Sequence, residues 1–148
     1  MPNQPIPAGC HTITPYLIVS GVPRLIEFLV QAFAAKVIHR VDRADGSTAH
    51  AQVKIGDSLV MMGEPMDQMQ LMPASIFMYV PDCDAVYQRA IQAGGISYMP
   101  VTTMQFSGQR YGGVKDPCGN LWWIATQIED VPAAEIERRF AEWQRQRQ

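Results

Sequence analysis

The stretch RYGGVKDPCGNLWWIATQ, residues 110–127, joins a turn signal to a strand that carries two adjacent tryptophans. Asp, Pro, Gly and Asn cluster in DPCGN, which is typical of a tight turn between two strands. Side chains alternate between the two faces of a strand, so Trp122 and Trp123 must point in opposite directions. We predict that Trp122 packs beneath a sheet and that Trp123 lies on its other face.

The order of elements in this second half repeats an order found in the first half. Each half begins with a short strand, continues with an amphipathic helix and ends with three strands. Val19 and Val80 close the two first strands and lie 61 residues apart, whereas Gly56 and Gly119 lie 63 apart in the two final turns. The pattern predicts two copies of one βαβββ unit, with two extra residues in the second turn.

A third segment follows the repeat. Ile136, Phe140 and Trp143 recur at i, i+4 and i+7 with charged residues between them, which predicts a helix with one apolar stripe. We therefore predict an α+β fold in a single domain, residues 1–148, with unit one at about 12–63, unit two at about 75–126 and a C-terminal helix at about 131–146.

Composition limits the kind of partner and the location of the chain. The 148 residues are 47% hydrophobic and 18% charged, and the formal net charge is −2. Neither a nucleic acid nor an anionic membrane is favoured as a partner.

There is no apolar run of about 18 residues and no signal-peptide pattern, so we expect a cytoplasmic protein. Three cysteines without CxxC spacing argue against a disulfide framework and a zinc knuckle.

Several phrases of the chain carry a family resemblance. They are TPYLIV, EFLVQAFAAKVI, DGSTAHAQVKIGDSLVMMGE, DAVYQRAIQAGG and RYGGVKDPCGNLWWIAT. Together they resemble the vicinal oxygen chelate superfamily, which includes glyoxalase I, bleomycin resistance proteins and extradiol dioxygenases, and most of all its PhnB-like branch. The resemblance implies curled mixed sheets that form a cup for a small molecule, and it implies a homodimer.

The resemblance also identifies four positions at which the metalloenzymes of the superfamily hold their metal ion, usually with His and Glu. Carried over to this chain, these positions are Thr14, Val60, Ser75 and Trp123. None of them supplies imidazole, carboxylate or thiolate, the groups that zinc and iron require. We therefore expect neither a metal ion nor another cofactor.

Alternation along the strands then predicts which side chains line the cup. His50 and Gln52 belong there if Lys54 is to avoid burial against the helices, although the hairpin register at Gly56-Asp57 is open. The predicted ligand-binding set, mainly aromatic with a few polar groups, is Thr14, Tyr16, His50, Gln52, Val60, Met62, Ser75, Phe77, Tyr79, Tyr111 and Trp123.

Three functions fit this pattern. The first is a metal-free protein that binds an aromatic or amphipathic small molecule in the cup. The second is a lyase or isomerase of the glyoxalase type, with either a metal at an unlocated site or His50 as general base. The third is a non-catalytic interaction protein that uses its C-terminal helix.

Overall fold

The computed structural model describes residues 3–148, so that Met1 and Pro2 lie outside the described part. Eleven elements follow one another in the order β1 (Tyr16–Ile18), α1 (Val22–Phe33), β2 (Lys36–Asp42), β3 (Thr48–Ile55), β4 (Ser58–Gly63), β5 (Ser75–Tyr79), α2 (Cys83–Gln92), β6 (Ile96–Met104), β7 (Gln109–Lys115), β8 (Leu121–Gln127) and α3 (Ala133–Gln146).

These elements form two open four-stranded sheets with the same topology. The strand order is β1-β4-β3-β2 in the first sheet and β5-β8-β7-β6 in the second. In each sheet the first strand pairs in parallel with the last one, and the remaining pairs are antiparallel. The fold class predicted from the sequence, two βαβββ units with mixed sheets and a C-terminal helix, is confirmed.

One hydrophobic core joins helices α1 and α2 to one face of each sheet. Helix α1 buries Leu25, Leu29 and Phe33 along a single face, and the ring of Phe33 lies 5.1 Å from that of Trp122. Trp122 is almost fully buried, which confirms its predicted place beneath the sheet. Every second residue of the strands therefore points away from the helices, and we call this opposite side of both sheets the cup face.

The turn between β7 and β8 is built around a buried carboxylate. Asp116 accepts hydrogen bonds from the backbone N–H groups of Cys118 and Asn120, from the Asn120 side-chain amide and from Trp122 Nε1, all between 2.8 and 3.0 Å. Asn120, itself fully buried, accepts a hydrogen bond from the backbone N–H of Ala74. The turn thus fixes both the second hairpin and the chain that enters β5.

Glu64 has a comparable structural role at the end of β4. Its two carboxylate oxygens accept hydrogen bonds from the backbone N–H groups of Gly21, at 2.8 Å, and Thr48, at 2.6 Å. Gly21 is the N-cap of α1 and has a left-handed backbone conformation, where glycine is favoured. Glu64 therefore ties the start of the first helix to the third strand.

The hairpin register in unit one differs from the prediction by one residue. Lys54 pairs with Leu59, with four residues between them in the chain, whereas the corresponding Lys115 pairs with Leu121, with five residues between them. The second turn is thus one residue longer, and not two as the sequence pattern predicted. Since a shift of one residue moves every side chain to the other face, this difference decides which residues of β4 reach the cup face.

No helix among residues 3–148 is both long enough and apolar enough to cross a membrane.

We expect Asp116→Ala to lower the free energy of unfolding by about 3 kcal/mol, because buried donors on Asn120 and Trp122 lose their acceptor. Urea denaturation followed by circular dichroism measures the change. Asp57→Asn is the control, since Asp57 lies exposed in the β3–β4 turn, and we expect it to stay within about 0.5 kcal/mol of the wild type. Equal midpoints for both variants would contradict the role assigned to Asp116.

We expect Cys118 to react more slowly with iodoacetamide than a free thiol does. Burial, assisted by the nearby Asp116 carboxylate, raises the pKa of the Cys118 thiol to about 11. The reactive thiolate is therefore scarce at neutral pH and becomes abundant only as the pH approaches that value. Peptide mass spectrometry of native protein alkylated between pH 7 and 10 tests this, with the urea-denatured protein as control. Labelling of Cys118 at pH 7 at the denatured rate would disprove it.

Candidate functional site

A continuous chain of five aromatic rings covers the cup face of unit two. In order along the sheet they are Tyr79, Phe77, Tyr111, Trp123 and Tyr98, with successive ring centroids 5.4, 5.4, 5.9 and 5.7 Å apart. Phe77 is 42% exposed and Tyr79 62% exposed. Rings that pack edgewise yet remain open to solvent provide a surface on which a flat molecule can stack.

Gly113 explains how the indole of Trp123 lies so close to the neighbouring strand. The two residues are paired across β7 and β8. A Cβ at position 113 would meet Trp123 Cζ3 at 3.2 Å and Tyr98 Cδ1 at 3.4 Å. The missing side chain therefore lets both rings pack against the backbone of β7, and the glycine pair in RYGGVK is part of the site.

Polar groups flank this aromatic chain. Trp123 Nε1 donates a hydrogen bond to Ser75 Oγ at 3.0 Å, which links two of the predicted site residues. Gln109 Nε2 donates to the hydroxyl of Tyr79 at 2.9 Å and to Gln127 Oε1 at 3.1 Å. Tyr79, at one end of the aromatic chain, and Trp123, next to its other end, are thus held by neighbouring side chains.

The cup face of unit one is smaller and more polar. Tyr16 stacks with His50, with ring centroids 6.1 Å apart and planes inclined by 22°. His39 lies 6.2 Å from His50 on the other side. Gln52 pairs across the sheet with Met61, and Met61 in turn pairs with Tyr16, so that their side chains share this face.

The expected orientation of Val60 and Met62 is wrong. Both side chains lie in the hydrophobic core, with 4% and 0% exposure, and their neighbours Leu59 and Met61 face the cup instead. The physical reason is the turn between β3 and β4, which is one residue shorter than the second turn, whereas the sequence pattern suggested a difference of two.

The other predicted residues divide into two groups that the structure keeps apart. Ser75, Phe77, Tyr79, Tyr111 and Trp123 form one cluster in unit two, and Tyr16, His50 and Gln52 lie together in unit one. Thr14 precedes β1 and is half-buried. Within residues 3–148, no aromatic pair joins the first group to the second.

Two contributors to the site were missed in the sequence. Tyr98 comes from β6 and His39 from β2, and each strand shifts register close to that residue. Such a bulge changes the face to which a side chain points, and alternation alone cannot reveal it. The glycine pair opposite Trp123 was a usable signal for Tyr98, because a strand glycine often marks a close approach.

The actual register changes one of the four metal-ligand positions that the family resemblance implies. Phe77 pairs with Trp123 as Tyr16 pairs with Met61, so Met61 and not Val60 is the counterpart of Trp123. Thr14, Met61, Ser75 and Trp123 supply two hydroxyls, a thioether and an indole N–H, and the N–H is a donor only. These side chains do not fit the zinc or iron site of the metalloenzymes. Among residues 3–148 there is no cluster of three or more His, Cys, Asp or Glu side chains that could hold a metal ion.

Comparisons with known proteins agree with this architecture. The chain is 33% identical over 136 residues to a protein of Mycobacterium bovis described as uncharacterized, and the match covers 84% of this chain and 89% of that protein. Among solved structures, TioX from Micromonospora sp. ML1 matches with a TM-score of 0.64 and 21% identity over 82% of this chain and all of its own. The PhnB protein from Bacillus cereus matches with a TM-score of 0.62 and 19% identity over 78% and 99%.

At this level of identity, the two solved structures support the fold alone. The family model of the glyoxalase, bleomycin resistance protein and dioxygenase superfamily matches residues 10–124, which is most of the chain and covers both βαβββ units except the last three residues of β8. The protein therefore belongs to the glyoxalase/bleomycin resistance/dioxygenase superfamily, also called the vicinal oxygen chelate superfamily.

Proposed function

We propose that this protein is a metal-free binding protein that takes an aromatic or amphipathic small molecule onto the aromatic rings of its cup face. The observation that carries the proposal is the chain of five rings from Tyr79 to Tyr98. It includes Trp123, one of the positions that the family resemblance assigns to a metal ligand. Large rings supply contact area at little conformational cost, and nearby polar groups orient the ligand.

The contact between Ser75 and Trp123 supports the metal-free part of the proposal. Two positions that would each hold a metal ligand in a metalloenzyme hydrogen-bond to each other instead, at 3.0 Å. The indole N–H uses a lone pair of the serine hydroxyl, and it has no lone pair of its own to offer a cation. The pair holds the indole ring in place against Gly113, which is a suitable arrangement for stacking.

His50 fits this function as a ligand-contacting group better than as a general base. Its ring lies between those of Tyr16 and His39, and among residues 3–148 no side-chain hydrogen bond orients it. A catalytic imidazole is usually held in one tautomer by a carboxylate or carbonyl. A loosely held imidazole can donate to or accept from a bound molecule, as can the neighbouring amide of Gln52.

The proposal includes a homodimer in the cytoplasm. Strand β2 lies at the edge of its sheet, and Val37, Ile38 and Val41 on it are about half exposed. An exposed apolar edge strand promotes pairing with another chain, and a second copy would cover it. The cysteines of the described residues are free thiols, which suits a reducing compartment.

We expect Trp123→Leu to weaken the binding of the flat probe 9-aminoacridine about tenfold, because the probe loses a stacking partner. Isothermal titration calorimetry measures the affinity. Trp143→Leu is the matched control, since Trp143 is a partly exposed tryptophan on α3 and lies away from the cup face. If both variants bind the probe as tightly as the wild type, the stacking surface is not the binding site.

The metal-free part is tested separately by elemental analysis of the wild-type protein purified without chelators. One equivalent of zinc, nickel or iron per chain would overturn it. Mass spectrometry of the same sample, searching for small molecules carried through native purification, would identify the ligand class directly.

We expect Ile38→Lys to shift the protein from dimer to monomer, because the buried edge would have to accommodate a charge. Sedimentation velocity at several protein concentrations measures the oligomeric state. Ile128→Lys is the control, with a hydrophobic residue of similar exposure beyond β8. A wild-type protein that sediments as a monomer, or an unchanged dimer in Ile38→Lys, argues against this interface.

A further inference from the structure

A cleft of about 620 Å³ opens between the two sheets, next to the edge strand β5. The linker between the units pairs with β1 through a single antiparallel bridge, Ile18 to Met72. From this bridge, the linker runs on into β5. Residues 13–15, which precede β1, and residues 76–81, in β5 and just after it, both line the cleft.

The cleft reaches the side of the sheet that faces the helices. Its interior is lined by Phe33 of α1, Val86 of α2 and Trp122 of β8, together with Ile76 and Met78 of β5. Phe33, Val86 and Trp122 belong to the hydrophobic core, and the two β5 side chains pack against it half-buried. Phe77 and Tyr79 also line the cleft, which therefore adjoins one end of the aromatic chain. Its interior, however, lies on the helix-facing side of β5 and β8, on the opposite side of the sheet from Trp123.

An arginine that forms no ion pair within residues 3–148 lies at the rim of the cleft. Arg89 of α2 lines the opening, and among residues 3–148 its guanidinium has no carboxylate partner, unlike Arg110 or Arg139. Asp57 lies on the rim contributed by unit one, where its carboxylate already accepts a hydrogen bond from the Ser58 hydroxyl at 2.8 Å. The free donor at the mouth is thus cationic, and it suits an anionic head group.

We propose that this cleft is a second binding site, which takes an amphiphilic monoanion with an unbranched hydrocarbon chain. The chain lies between β5 and the helices, and the carboxylate lies at Arg89. The volume falls within the range of small-molecule sites, roughly 300 to 1,000 Å³. Ile76, Met78 and Val86 supply aliphatic walls that a flexible chain can fill, and the methionine side chain adapts its shape to the occupant.

The test uses dodecanoate and its uncharged counterpart dodecanol as probes, both below their aggregation limits, with calorimetry as the measurement. We expect Arg89→Gln to weaken dodecanoate binding about fivefold to tenfold and to leave dodecanol binding unchanged. Arg145→Gln is the matched control, because Arg145 is exposed on α3, away from the cleft, and it should change neither affinity. Asp57→Asn should strengthen the binding of dodecanoate alone.

A second variant tests the compartment itself. Ile55→Phe narrows the opening from its half-buried position at the end of β3, and we expect it to weaken both probes by similar factors. Its urea midpoint shows whether it remains folded. If dodecanoate does not bind the wild type, or if Arg89→Gln and Arg145→Gln affect it equally, the proposal is overturned.

Tryptophan fluorescence can distinguish binding in the cleft from binding on the cup face, because Trp122 lines the cleft and Trp123 lies on the cup face. In the double variant Trp123→Phe, Trp143→Phe, Trp122 of the cleft is the one remaining tryptophan, and excitation at a wavelength that tyrosine does not absorb reports on it alone. Saturation with dodecanoate should shift its emission, and Ile55→Phe in that background should move the midpoint of the titration to a higher probe concentration. An unchanged Trp122 spectrum at saturation would place the probe elsewhere. The proposed binding of 9-aminoacridine at Trp123 can fail without affecting this result.

Discussion

Four hydrogen bonds converge on the carboxylate of Asp116, which is only 5% exposed. A buried carboxylate is tolerated only when its oxygens are fully paired, so this turn admits little rearrangement. One of the donors is the indole of Trp122, which fixes that side chain beneath the sheet. Because side chains alternate along β8, fixing Trp122 on one face directs Trp123 to the other. The position of the aromatic surface thus depends on a hydrogen bond made on the opposite side of the strand.

The same turn shows why sequence reasoning oriented the side chains of β8 correctly and those of β4 incorrectly. DPCGN carries its own register, since Asp116 and Asn120 close the turn through hydrogen bonds that define the pairing of Lys115 with Leu121. The shorter turn at Gly56-Asp57 is not closed in this way, because the Asp57 carboxylate is exposed and, among residues 3–148, accepts a hydrogen bond only from the Ser58 hydroxyl. Its register was therefore suggested only by comparison with unit two. That comparison was wrong by one residue, which exchanged Val60 and Met62 for Leu59 and Met61.

Much of the fold was readable from local patterns, whereas the site depends on contacts between distant segments. Strand alternation and helix periodicity located both units, because each element is amphipathic in its own right. The bond between Ser75 and Trp123 joins residues 48 positions apart, and Tyr98 reaches Trp123 only because Gly113 leaves space between them. No local pattern encodes such contacts. Alternation predicts which face a residue occupies, while the packing of the whole sheet decides what it touches.

The cleft follows from the way in which two units are joined in one chain. The first strand of each unit lies at the edge of its sheet, so the outer edges of β1 and β5 could in principle pair into one continuous sheet. A single bridge joins the two edges, in which Ile18 and Met72 exchange two backbone hydrogen bonds. Two residues further on, the N–H of Ala74 donates to Asn120 Oδ1 and its carbonyl accepts from Leu121 N–H, so the chain turns to its own sheet and the edges separate. The separation leaves β5 with one unpaired edge, and it gives access to core residues that a continuous sheet would have sealed.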